Sequence, residues 1–404
     1  MTILRLRIVL FLAAIVPARI AAAQTAAPAA APDLSKTPAA VLMWSQSQKE
    51  AGFPKMDSIF PSQHVVPHGS KVHALPAGKP LAAFAAGGEK VAMLDEFVAS
   101  QKMAGLLVLQ DGKIRLERYA LGHSPSGRWA SFSVAKSVTS TLVGAAIKDG
   151  YIKSLDEPLT RYIKQLQGSA YDGVTVRQLL TMTSGVKWNE DYADPRSDIA
   201  QLYAVTPDPG VDLTVSYVRK LPREAEPGTK WVYKTAETNL IGVLVMEATG
   251  KKLADYLAEK IWKPYGMERD AAWMIDPIGH EQGGCCLQVS LRDYARIGQF
   301  ILEGAKVRGT SIVPDGWLEA ATHKQADIGA SGSGYGYQWW TNDDGTFAAR
   351  GIFGQMIYID AKRKLVVAIN SAWPVATGRA QAQARSALLA AIVAAVDAEA
   401  AAAR

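Results

Sequence analysis

"SFSVAKSVTST", residues 131–141, sets Ser133 and Lys136 three positions apart where a helix should begin. Helix residues i and i+3 share a face, so the Lys136 amine can reach the Ser133 hydroxyl if both look into a cleft. A serine hydroxyl is a poor nucleophile until a base takes its proton. A lysine can be that base only when neutral, which requires desolvation or nearby positive potential. The helix N-terminus supplies such a potential, together with backbone N–H groups able to bind an oxyanion. Serine is equally a good N-cap, and the local sequence admits both readings. A second Ser-x-x-Lys, Ser184-Gly-Val-Lys187, follows a helix end and contains glycine, so its side chains need not converge.

Working outward, "GLLVLQDGKIRLERYALG" (105–122) reads as a β-hairpin about Asp111-Gly112. The helix opened by Ser133 should stop at Gly150. "TVRQLLTMTSG" (175–185) and "ETNLIGVLVMEATG" (237–250) show helical periodicity ended by glycine, and "LADYLAEKIWKPYG" (253–266) should stop at Pro264. "LRDYARIGQFILEGA" (291–305) is a further amphipathic helix. Strand signals return in "YGYQWWT", "FAAR", "QMIYID" and "KLVVAIN" between 335 and 370, and an Ala-rich helix follows. Two early strands joining three late ones predict an α/β sandwich: an antiparallel five-stranded sheet flanked by helices, interrupted by a mostly helical insert. The divisions are 41–150 and 290–404 for the sandwich, with 41–90 as an N-terminal extension, and 151–289 for the helical subdomain.

The 404 residues are 49% hydrophobic and 20% charged, an ordinary globular composition with enough chain for a large core. Residues 1–23 read as a signal peptide, with a basic start, the apolar run "IVLFLAAIV" and a small-residue end; residues 24–40 read as an Ala/Pro linker. The expectation is an exported protein, periplasmic or secreted, without stable membrane insertion after cleavage. Cleavage after Ala23 removes three arginines and no acid, so the formal charge falls from +6 to +3. No basic cluster then supports nucleic-acid binding. The two cysteines, Cys285 and Cys286, are adjacent, where a disulfide would be strained, and are assigned a structural place, with pocket lining as the lesser reading.

Other catalytic layouts find little support. There is no Gly-x-Ser-x-Gly elbow, only the flexible "GASGSG" at 329–334. The histidines at 64, 68, 73, 123, 280 and 323 show no metal-ligand spacing, and nothing points to a histidine triad. No cofactor or metal is expected.

Several segments, in order, resemble the serine β-lactamase/penicillin-recognising family over roughly residues 95–375, most of all its 6-aminohexanoate-dimer hydrolase and esterase branch. They are "SVAKS", "YDGVTVRQLLTMTSGV" (171–186), "NEDYADP" (189–195), "PGTKWVYKTAETNLIG" (227–242), "GGCCLQVSLRDYARIG" (283–298) and "RGIFGQMIYID" (350–360). The resemblance implies a β-lactamase/transpeptidase-like sandwich and acyl-enzyme chemistry. Ser133 would be the nucleophile, with Lys136 and Tyr233 the general base and acid. The backbone N–H groups of Ser133 and Ile352 would form the oxyanion hole. Tyr192, Thr235, Arg350 and Gly351 would meet the substrate.

Two departures matter. Where the penicillin-recognising pattern is Tyr-x-Asn, Tyr233-Lys234-Thr235 stands here, and Ala349-Arg350-Gly351 replaces Lys-Thr-Gly. Thr235 keeps a hydroxyl but loses the amide, and Arg350 can still clamp a carboxylate bidentately. The resemblance therefore implies an exported serine hydrolase for a small linear amide or ester. A β-lactamase or D,D-peptidase and a non-catalytic peptide-binding module are the alternatives. Trp188, Trp231, Trp339 and Trp340 fall near these motifs and read mostly as packing. Nothing in the sequence gives an oligomeric state.

Overall fold

Asp111 and Gly112 both adopt left-handed φ (48° and 70°), which matches the right-handed twist of a tight hairpin. The computed structural model describes residues 38–60, 63–84 and 89–403. The signal peptide and the linker up to residue 37 lie outside these, and Pro38–Ala40 begin a 3₁₀ turn, Pro38–Met43.

The hairpin strands β1 (Met103–Gln110) and β2 (Lys113–Tyr119) join five later ones. These are β3 (Ser333–Tyr335), β4 (Trp340–Asn342), β5 (Phe347–Gly351), β6 (Gln355–Asp360) and β7 (Leu365–Ser371). The sheet is antiparallel in the order β2-β1-β7-β6-β5-β4-β3. The five expected strands are thus present, and two more extend the edge. The run "YGYQWWT" is not one strand: buried Gln338, at φ 64°, breaks it so that β3 and β4 pair with each other.

Helices cover both faces, as the continuous burial of β1, β6 and β7 requires. The two-residue alternation sends Leu106 and Val108 to one side and Leu107 and Leu109 to the other. The first side packs on α1 (Glu89–Ser100) and α5 (Arg379–Ala402) through Leu94, Leu388, Ile392 and Val396. The second packs on α2 (Ala135–Lys148) and α4 (Leu291–Leu302) through Val138, Tyr294 and Ile297. Helix α3 (Thr235–Thr249) lies against α2 and ends at Gly250 in the left-handed conformation that favours glycine.

Three features go beyond the sequence reading. A second, short sheet runs 63–66, 271–274, 287–289, 129–130, tying early chain to the middle. The helix expected to stop at Pro264 instead widens to a π-helix over Ala258–Gly266, with Pro264 inside it. A π-helix bonds five residues back, which relieves the clash a proline ring makes with an α-helical carbonyl. Cys285 and Cys286 form a disulfide with each other. Among the described residues no helix is long and apolar enough to cross a membrane.

Candidate active site

Ser133 is not a helix cap. It sits in a 3₁₀ turn, Phe132–Val134, ahead of α2, and no side chain caps either element. The turn is pinned from below: Ser131 donates its N–H to the Leu287 carbonyl at 2.8 Å, and its hydroxyl accepts the Leu287 N–H at 3.0 Å. Phe132, just before the serine, holds φ at 43°, and Phe353, just after Ile352, holds 59°. Such conformations cost about 1–3 kcal/mol each and persist only where packing dictates them. Here Phe132, Phe353 and Phe53 pack ring to ring, with centroids 4.9–5.3 Å apart.

Gly351 closes the same corner. A Cβ there would stand 2.7 Å from the Ser131 carbonyl and 3.2 Å from the Ser133 nitrogen, so glycine lets the end of β5 run beside the serine. The expected oxyanion pair, the N–H groups of Ser133 and Ile352, is therefore on adjoining segments, and both residues line the same two cavities.

Lys136 is buried, with 1% of its surface exposed. Its ammonium donates to Thr235 Oγ1 at 3.0 Å and to the Gly284 carbonyl at 2.8 Å; neither bond goes to Ser133. Both acceptors are neutral, and burial draws its pKa down from 10.5 to about 7, against a smaller upward pull from Glu190. A substantial fraction is then neutral at physiological pH. The Lys136 amine lies 5.4 Å from the Tyr233 ring centre. The Tyr233 phenol is in hydrogen-bonding reach of Ser133, which favours phenolate, but burial and Glu190 outweigh this and push its pKa up. Tyr233 is thus a protonated phenol held against the serine. Its ring stacks on Trp340, centroids 5.5 Å apart and planes 24° from parallel.

Glu190, inside the quoted "NEDYADP" but not singled out there, organises this network. Its carboxylate accepts the Thr235 N–H at 2.9 Å, the Tyr192 hydroxyl at 2.7 Å, and hydrogen bonds from the Thr235 hydroxyl and Trp188 indole. Thr235 therefore passes a chain from the lysine to a carboxylate at the start of α3, where the helix dipole favours negative charge. Its hydroxyl is engaged within the protein rather than free for a ligand. Tyr192 does face both cavities. Trp339 packs in the core on Phe347, as read, whereas Trp340 lines the cleft.

The second Ser-x-x-Lys does not converge: Ser184 is buried and donates to Glu237, and Lys187 is exposed. Cys285 and Cys286, read from sequence as structural with pocket lining as the lesser reading, line a cavity beside Ser133. The residue before them is the Gly284 that holds Lys136. A Cβ on Gly284 would stand 3.0 Å from the lysine nitrogen. Asp212, Asp276 and His280 lie within 4.8 Å of one another away from the serine. Their oxygens already accept backbone N–H groups of Val215, Leu213, Ile278 and His280, which is ordinary capping and turn work.

The chain has known relatives. A sequence model of the Beta-lactamase family matches residues 91–392, and the chain belongs to that family; it is a serine hydrolase. A 6-aminohexanoate-dimer hydrolase of Paenarthrobacter ureafaciens is 30% identical over 284 residues, which is 66% of this chain and 72% of that protein. A solved structure assigned as a 6-aminohexanoate-dimer hydrolase from Bacillus anthracis superposes with a TM-score of 0.76 at 26% identity, covering 87% of this chain and 95% of that one. A family VIII carboxylesterase shares the fold at a TM-score of 0.57 and 18% identity, over 76% of this chain and 96% of its own.

Proposed function

We propose that this protein is an exported hydrolase that cleaves a linear amide or carboxylic ester through an acyl-enzyme on Ser133. The observation that carries the reading is the pairing of a buried lysine, held only by neutral acceptors, with a protonated phenol in reach of the serine. Neutral Lys136 is the proton sink, and the phenol at Ser133 relays the proton to it as Oγ bonds to the carbonyl carbon. The backbone N–H groups of Ser133 and Ile352 take the oxyanion. The C–N or C–O bond then breaks as Tyr233 returns a proton to the leaving atom and regains it from the Lys136 ammonium. Water attacks the acyl-Ser133 ester along the reverse route, giving a carboxylic acid and free Ser133.

The Paenarthrobacter relative, by its name a hydrolase of an amide-linked dimer, supports the amide reading. Thr235 in the Asn position and Ala349 in the Lys position disfavour penicillins. A fluorophosphonate probe should label the wild type and not Ser133→Ala. A p-nitrophenyl short-chain ester should turn over faster than nitrocefin; faster nitrocefin turnover would move the reading to a β-lactamase. Residues 1–23 are the proposed export signal. Intact mass of the protein from the extracytoplasmic fraction should begin after Ala23, and retention of Met1 in the cytoplasm would remove that part.

A further inference from the structure

Two cavities of opposite character meet at Ser133, and Tyr192 and Ile352 line both. The narrower has no charged residue in its wall; Met56, Phe132, Met274 and the Cys285–Cys286 disulfide enclose it. Part of that wall, Val41, Leu42 and Met56, comes from chain ahead of the family-matched residues 91–392. The wider cleft holds Arg350 at the end of β5 and Arg385 on α5, with a third, exposed arginine, Arg379, also in its wall.

Among the described residues neither Arg350 nor Arg385 has a carboxylate partner. Each guanidinium instead lies over a tryptophan: Arg350 5.3 Å from the Trp340 ring centre, Arg385 4.8 Å from that of Trp373. Arg350 Nε is buried with no acceptor. Burial and the like charge of Arg350 disfavour the charged form of Arg385, a cost that an anion between them would remove. The one carboxylate of this cleft, Glu190, already has its oxygens engaged by Thr235, Tyr192 and Trp188.

The position of the acid fixes polarity. Tyr233 lines the wider cleft and not the narrow one, and the leaving nitrogen must lie within reach of its proton. Resting on the hydrolase reading above, we infer that the substrate is an N-acyl amino acid: an apolar acyl chain in the disulfide-walled pocket, and a leaving amine whose carboxylate is clamped by Arg350 and Arg385. Water and substrate give a fatty acid and a free amino acid, with no other reactant.

The test uses the full-length enzyme and three amides: N-hexanoylglycine, its neutral glycinamide counterpart, and N-(6-aminohexanoyl)glycine. The expected kcat/KM preference for the carboxylate over the glycinamide is about tenfold or more, since a site built for a polar group rejects its analogue. That ratio should fall toward one in Arg385→Gln and in Arg350→Gln. Hexanoyl should likewise exceed 6-aminohexanoyl, whose terminal ammonium finds no charge in the narrow pocket. Met274→Glu should reverse that second preference. Equal rates for glycine and glycinamide, or a preference unmoved in both arginine variants, would overturn the carboxylate site. Preference for the aminohexanoyl chain would overturn the apolar pocket. Loss of p-nitrophenyl ester turnover and of Ser133 labelling in the wild type would instead sink the hydrolase reading itself.

Discussion

Lys136 and Lys234 are both almost wholly buried, each with about 1% of its surface exposed, yet the protein treats them oppositely. Lys234 has a carboxylate 3.4 Å away, Glu237, one turn along α3 and equally buried. Lys136 has only a threonine oxygen and a carbonyl. A buried ammonium with a partner is a structural ion pair, costly to break. One without a partner yields its proton easily, which suits Lys136 to the proposed role of base. The proposed mechanism depends on what the fold withholds from Lys136 as much as on what it supplies.

The largest way to break this contrast is Lys136→Met, which should lower kcat by about 10³-fold or more through loss of the base. The same variant should be more stable below neutral pH. The folded pKa of Lys136 lies below its unfolded value of 10.5, so between pH 7 and 10.5 the unfolded chain binds more protons and this lysine's contribution rises with pH. Urea denaturation across that range should show the slope in the wild type and its loss in the variant; parallel profiles would mean Lys136 is not desolvated.

Next, Tyr233→Phe should lose about 10²-fold or more in turnover. Near-normal steady-state rates would refute the proton relay. Lys234→Met should leave Glu237 unpaired and cost about 3–5 kcal/mol, while kcat of the remaining folded enzyme stays close to wild type. The double change Lys234→Met with Glu237→Leu should recover much of that loss in thermal unfolding. If instead the single variant abolished turnover without unfolding, the two lysines would not be distinct in kind.

The smallest effect belongs to Glu190→Gln. Glu190 raises the Lys136 pKa, so its removal should move the acid limb of the kcat/KM profile, expected near pH 7, to lower pH by less than about one unit. A shift to higher pH would contradict the sign of that interaction.

Much of the fold was legible because it rests on local rules. Asp111-Gly112 demands a hairpin, the glycines after residues 149 and 249 stop helices, and the runs over 347–370 are short, strand-forming and separated by turn residues. The second sheet was not legible, since strands of two to four residues carry too little pattern and some partners lie more than 200 residues away. "YGYQWWT" misled because nothing in a single run of strand-forming residues marks Gln338 as the point of reversal.

The candidate site divides in the same way. Ser133, Lys136, Tyr233, Tyr192, Arg350 and Ile352 were found because their spacing and neighbours resemble a family pattern, and they do converge. Glu190 lay in a quoted segment without a stated role, and Arg385 is one of two arginines in an alanine-rich helix with no local sign of a cleft.

By itself, then, the sequence determined the main helices and the five central strands, and that a serine sits one turn before a lysine at a helix start. Only the tertiary structure decided that this lysine has no acid beside it while Lys234 does, that two cysteines wall a pocket, and that two arginines 35 residues apart share a cleft. Helix and strand periodicity act over a few residues, whereas desolvation and charge pairing depend on every group brought within a few ångströms, whatever its distance along the chain.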